Sequence, residues 1–164
     1  MPVLVAPDTR YKGSFTQAIK DRLITTEHPE WVRSKMEHFE EHLGYIQKLR
    51  VGKGAKGSTP QTIYWLVEGD NYLGEIHIRH RASGKIPNHI YYDIAPRERN
   101  KGYGKLILKL GLEKAKELGL NKVILVCNQN NIASSKVIEA NGGILRENVQ
   151  NGNEVTRVYE IALK

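Results

Sequence analysis

With Cys127 as its only cysteine, the 164-residue chain can neither close an internal disulfide nor assemble a multi-cysteine zinc site. No apolar run approaches the roughly twenty residues that a helix needs to cross a bilayer, and the opening Met1–Asp8 stretch is not read as a secretory signal. A cytoplasmic location without membrane association is therefore the expectation. No internal repeat or low-complexity stretch interrupts the chain, which argues against solenoid and disordered classes. Acidic residues are in deficit: 18 Asp and Glu stand against 25 Lys and Arg, a formal net charge of +7. That excess suits an anionic partner, whether nucleic acid, an acidic substrate or a phosphorylated cofactor. The Arg79-His80-Arg81 cluster comes with no recognition helix and no aromatic stacking motif, so no nucleic-acid partner is expected.

What is present, 40% hydrophobic and 26% charged residues, is the composition of an ordinary globular protein. The length suits one domain spanning residues 1–164. Val3-Leu4-Val5 reads as an opening strand, and Ser14 as the cap of a short helix to about Leu23. Val32, Met36, Phe39, Leu43 and Ile46 alternate spacings of four and three, which predicts one helix from Trp31 to Leu49 with a core-facing stripe. Within it, His38-Phe39-Glu40-Glu41-His42 matches a zinc-peptidase pattern. With no third ligand evident, it is read as a helix face and no metal is assigned.

Three β-rich runs follow, Thr62 to Val67, Tyr72 to His80 and His89 to Ile94, and predict an antiparallel meander. A helix from Gly104 to about Leu118, a strand from Lys122 to Cys127 and a helix from Ile132 to Ala140 come next, implying a parallel crossover. Asn151-Gly152-Asn153 between two further runs is a hairpin signal. The expected fold class is α+β, with a central mixed, mostly antiparallel sheet flanked by helices and a C-terminal β-hairpin.

Arg99-Asn100-Lys101-Gly102-Tyr103-Gly104 leaves a strand and enters a helix. Glycines there admit a close ligand, and a helix N-terminus offers unpaired N–H donors to a phosphate, with Arg99, Lys101 and Lys105 adding positive charge. Arg99, Gly102 and Gly104 fill the R/Q-x-x-G-x-G/A signature of the GNAT superfamily of acetyl-CoA-dependent N-acetyltransferases. Asn130-Asn131-Ile132-Ala133-Ser134-Ser135 through Asn141-Gly142-Gly143 is similar to that family's N-x-A-S helix, and Leu73 to His80 resembles a bacterial subgroup. The likeness covers residues 62 to 146 most closely and implies an acetyl-CoA-binding core at about 89–143. It implies that the backbone of Ile94 pairs with the pantetheine arm, that Gly102, Tyr103, Gly104 and Lys105 cradle the diphosphate, and that Asn131 bonds the pantetheine amides, although Asn131 also reads as a helix N-cap. The family's thiolate-protonating tyrosine falls at Ile138, which leaves that role vacant or filled elsewhere. An acyl-CoA-binding module without catalysis is therefore the alternative to an enzyme.

Strand alternation places Glu75, His77 and Arg79 on one face, and His89, Tyr91 and Asp93 on one face of the next strand. A turn centred near Gly84 pairs Glu75 with Asp93, His77 with Tyr91 and Arg79 with His89. Glu75 or His89 is the candidate general base and Tyr91 the candidate donor to the thioester oxygen. The competing reading is the wet face of a hairpin. Cys127 is read as a buried, inert thiol. The acceptor is an amine on a small molecule, peptide or protein, selected by the first sixty or so residues.

Overall fold

The computed structural model describes all residues from 1 to 164. Val3–Val5 (β1), Gln61–Glu68 (β2), Asn71–Ser83 (β3) and Asn88–Ile94 (β4) form one sheet in that spatial order. Lys122–Asn128 (β5), Ile144–Asn151 (β6) and Glu154–Ala162 (β7) form a second, ordered β5-β7-β6. The helices are Lys12–Arg22 (α1), Pro29–Glu37 (α2), Phe39–Arg50 (α3), Tyr103–Glu117 (α4) and Ile132–Ala140 (α5). No helix is long and apolar enough to cross a membrane.

The α+β class and the C-terminal hairpin agree with expectation, but the sheet is divided. Every registered strand pair is antiparallel. The crossover from β5 through α5 leaves β5 and β6 running the same way without touching as a ladder, because β7 folds back at Gly152-Asn153 and pairs antiparallel with both. Strands β4 and β5 meet as the neighbouring edges of the two sheets.

Two further expectations change. The single helix from Trp31 to Leu49 is broken at His38, whose φ of −119° and ψ of 50° end α2 and begin α3. Apolar spacing persists across such a break, so periodicity alone does not register it. Ser14 does not cap α1, which starts two residues earlier; its hydroxyl bonds the Tyr11 and Asp70 carbonyls and accepts from the Tyr72 N–H, tying α1 to the start of β3.

Alternation along the strands builds two cores on opposite faces of the first sheet. Leu66, Ile76, Ile78, Ile90 and Ile94 face α4, α5 and the second sheet. Ile63, Trp65, Val67 and Tyr72 face α1, α2 and α3. In this second core Phe15 stacks on Trp65 at 4.7 Å between ring centres, and Tyr72 meets the same indole edge-on at 5.2 Å. Each large apolar side chain so buried contributes about 1.5–3 kcal/mol. Register then decides where the polar residues go. Glu75 pairs with Trp65 and His77 with Ile63, which puts both under the helical layer.

Candidate active site

Helix α4 begins abruptly. Gly102, at φ 86°, occupies the left-handed region that L side chains avoid, and Asn100 at 62° is the only other non-helical switch in the turn. No side chain caps the helix, and its first internal bond runs from the Leu106 N–H to the Gly102 carbonyl. The N–H groups of Tyr103, Gly104 and Lys105 therefore point out of the helix without intrahelical partners. Such a cradle fits a diphosphate. Gly104 has another reason to be glycine: a Cβ there would lie 3.3 Å from Val137 Cγ2 on α5, so it sets the approach of the two helices.

The cationic side chains of the turn are arranged differently from the sequence expectation. Arg99 turns inward, donating from Nε to the Ile94 carbonyl at 3.1 Å and from Nη2 to Asp93 at 3.3 Å. Lys101 pairs with Glu98 at 2.9 Å. Only Lys105 extends into solvent without a carboxylate partner. Arg99 thus ties the turn to the end of β4, and the free donors of the turn are its backbone N–H groups. Asn131 caps α5 by accepting from the Ser134 N–H at 3.1 Å.

Beside this turn the edges of β4 and β5 are held by side chains instead of a ladder. The Ile124 N–H donates to His89 Nδ1 at 3.0 Å, and the Tyr92 hydroxyl meets Ser134 Oγ at 3.1 Å. His89, expected as a possible base, is consequently a bridge between sheets. It lines neither of the two cavities described below, and burial, with Lys122 and Arg79 adding repulsion, lowers its pKa and keeps the ring neutral. Ile138 is 1% exposed within the core and offers no proton. Cys127 is buried against Ser135 Oγ at 3.3 Å.

The polar face of β3 and β4 is not a wet hairpin surface. Glu75 pairs across the strands with Asp93, and His77 with Tyr91, as the alternation requires; the register shifts beyond Ile78, and Arg79 is not paired with His89. Glu75 is only 5% exposed. Its Oε1 lies 3.2 Å from His77 Nε2 and 3.8 Å from Lys35 Nζ, while Arg22 pairs with Asp93 at 2.9 Å. Burial opposes ionisation of Glu75, but His77, Lys35 and Arg22 outweigh it and hold the carboxyl well below the usual range. A carboxylate so stabilised is a poor proton acceptor.

Above this face, between it and helices α2 and α3, lies a cavity of about 830 Å³ reaching Val126 of β5. His77, Tyr91, Lys35, Trp31 and His42 line it. Burial, then Lys35 and His77, pulls His42 down to about 4, so it is neutral. His42 stacks on Phe15 and His38 lies 3.8 Å from Glu41, and no group of three ligating side chains is gathered that could hold a metal ion. Tyr91 is 54% exposed, stands edge-on to His77 at 5.2 Å, and also lines a smaller polar cavity of about 220 Å³ with Glu75, Asp93 and Arg99. Partial burial, with Asp93 and Glu75 beside it, pushes Tyr91 up to about 12, so it keeps its proton at neutral pH.

The turn with its unpaired N–H groups follows β4, three of whose residues, Asn88, Ile90 and Tyr91, line the cavity. Residues 13–144 match the family model described as an acetyltransferase (GNAT) domain. The chain belongs to the GNAT acetyltransferase family. It is accordingly an acetyltransferase, with acetyl-CoA as its co-substrate. No curated protein matches it in sequence. Among solved structures, it resembles the ribosomal L7/L12 alpha-N-protein acetyltransferase RimL in complex with coenzyme A, at 14% identity and a TM-score of 0.74 over 99% of this chain and 94% of that one. It also resembles the Microcin C7 self-immunity acetyltransferase MccE, at 14% identity and 0.71 over 98% and 92%. The spermidine/spermine N-acetyltransferase SpeG from Vibrio cholerae is similar at 14% and 0.65 over 99% and 95%. Identities this low establish the shared fold.

In this family member Gly102→Val forces a β-branched residue to a positive φ, a strain of about 1–2 kcal/mol. Coenzyme A affinity by titration calorimetry is expected to fall about tenfold, with the melting temperature lowered by roughly 2–8 °C; unaltered affinity would refute the cradle. His77 and the Tyr92–Ser134 pair were missed as functional candidates by sequence reasoning. The Glu75-x-His77 spacing was the available signal for the first, whereas nothing local points to the second, whose members are 42 residues apart.

Proposed function

We propose that the chain transfers the acetyl group of acetyl-CoA to a primary amine by direct attack in a ternary complex, with the acceptor held in the 830 Å³ cavity between α2–α3 and the β3–β4 hairpin. The observation that carries this reading is the Glu75–His77 contact at the cavity wall. An ionised Glu75 can only accept, so His77 Nε2 is the donor and Nδ1 is left with its lone pair. His77 takes the proton from the amine as its nitrogen attacks the thioester carbonyl. Tyr91, protonated and facing the cavity, donates to the carbonyl oxygen. Glu75, the base expected from sequence, acts instead as a positioning residue for His77.

The carbon–sulfur bond then breaks, and the departing thiolate accepts a hydrogen bond from Ser134, whose hydroxyl is polarised by Tyr92 at the first turn of α5; the sulfur takes its proton from water, and His77 returns the amine's proton to solvent. Gly102, Tyr103, Gly104 and Lys105 hold the diphosphate through their backbone, Ile94 borders the pantetheine path, Arg99 braces the turn, and Asn131 holds the first turn of α5 in place. Lys101 adds charge at the rim.

The test is thiol release from acetyl-CoA with a panel of primary amines. Amine-dependent release is expected, and tight coenzyme A binding without release for any amine would sink the proposal. Ser134→Ala is expected to lower kcat by about tenfold or more with unchanged coenzyme A affinity.

A further inference from the structure

The charged groups around the large cavity do not balance. Lys35 is neutralised: its ammonium lies 3.8 Å from Glu75 and 4.0 Å from the centre of the Trp31 ring. Glu41, the one carboxylate lining the cavity, is largely solvated at the rim and faces His38. Arg22 and Arg99, behind the wall, share Asp93. Arg79 is different. It lines the cavity, is half-buried, and has no carboxylate partner. Its Nη1 donates to the Ser83 carbonyl at 2.8 Å and to Asn88 Oδ1 at 3.1 Å, which fixes the guanidinium, while Nε and Nη2 donate to nothing in the chain. A half-buried cation that is held rigidly by neutral acceptors keeps its full charge for a ligand.

We propose that the acceptor amine carries an anionic group, carboxylate or phosphate, and that Arg79 receives it. The inference rests on the cavity being the acceptor site. His77 and Arg79 stand two residues apart on the same face of β3, a separation of roughly 7 Å at the usual rise per residue. The amine and the anion are therefore separated by about that distance in an extended acceptor. An α-amino acid is too short for both contacts. A polyamine is disfavoured as well, since it would bring cations to a cavity whose half-buried unmatched charge is positive and whose one lining carboxylate, Glu41, is solvated at the rim.

The test is acetylation of 6-aminohexanoate, 4-aminobutyl phosphate, hexylamine and spermidine by the full chain, with the first two separating carboxylate from phosphate. At least one of these anionic amines is expected to exceed hexylamine in kcat/KM by about tenfold, the effect of one charge-assisted contact. Arg79→Gln is expected to bring that ratio close to one through KM, whereas Arg79→Lys, which keeps the charge, retains most of it. Loss of the ratio in the lysine variant too, with a lowered melting temperature, would mark a structural role and overturn the assignment. Preference for hexylamine or spermidine, or a ratio that survives Arg79→Gln, overturns the inference alone. If none of the four is acetylated while coenzyme A still binds, the cavity assignment falls with it.

Discussion

Replacing His77 by alanine is expected to lower kcat by about 10²–10⁴-fold, the range associated with losing a positioned general base. Acetyl-CoA affinity should stay within about twofold, because His77 lines the 830 Å³ cavity and not the turn at Gly102. Glu75→Gln should lower kcat by about tenfold or more. The amide can still contact Nε2, but it no longer dictates which ring nitrogen carries the proton. The size of the loss separates the two residues: if His77 is the base, His77→Ala loses far more kcat than Glu75→Gln. If Glu75→Gln abolishes turnover and His77→Ala leaves it intact, Glu75 is itself the base and the assignment made here is wrong. The same carboxylate couples stability to pH. Its folded-state pKa is depressed relative to the ordinary 4.5, so its stabilising contribution is complete above about that pH and is lost as the pH falls further. The acid-induced drop in melting temperature should therefore be shallower in Glu75→Gln than in the parent chain.

Trp65→Ala is expected to cost about 3–5 kcal/mol, the usual penalty for deleting a fully buried aromatic. For a chain of this size that is a fall in melting temperature of roughly 10 °C. The indole is 0% exposed and touches the rings of Phe15, Tyr72, Tyr11 and Phe39, stiff side chains that collapse poorly into the space left behind. Trp65→Phe should cost much less. Its Nε1 is buried without a hydrogen-bond partner, and removing that donor offsets part of the lost packing by about 1–3 kcal/mol. Calorimetric or denaturant unfolding of both variants checks the pair; equal losses would mean that the unpaired donor carries no cost. Because this core also seats α3, which walls the acceptor cavity, Trp65→Ala should raise the acceptor KM more than that of acetyl-CoA.

Where side-chain period and turn chemistry act over a few residues, the reading from sequence holds. The helix at Ile132–Ala140, the strand at Lys122, the two-residue turn at Gly152-Asn153 and the facing pairs Glu75–Asp93 and His77–Tyr91 all follow from alternation, helical spacing and glycine placement. The conformation of the turn at Gly102 belongs with them, since a left-handed residue before a helix needs glycine whatever surrounds it. The break at His38 was not visible, because two consecutive helices can share one apolar stripe.

Site roles depended on long-range placement. Strand alternation put His89 on the same face as Tyr91, but β5 brings the Ile124 N–H to its ring and takes it out of the candidate chemistry. Arg99 has the position of a phosphate ligand, yet Asp93 and the Ile94 carbonyl draw it inward. Residues 1–61 read only as packing helices, and it is their coverage of β3 that turns a polar hairpin face into a buried ion-pair cluster beneath a cavity.

By itself the sequence determined the family, the order of elements and the glycine turn that opens α4, because each rests on local geometry that neighbouring residues dictate. Only the tertiary structure decided which polar groups are buried, which are paired and which face the cavity. Protonation and counter-charge depend on solvent exclusion and on partners tens of residues away, and strand or helix periodicity carries no information about either.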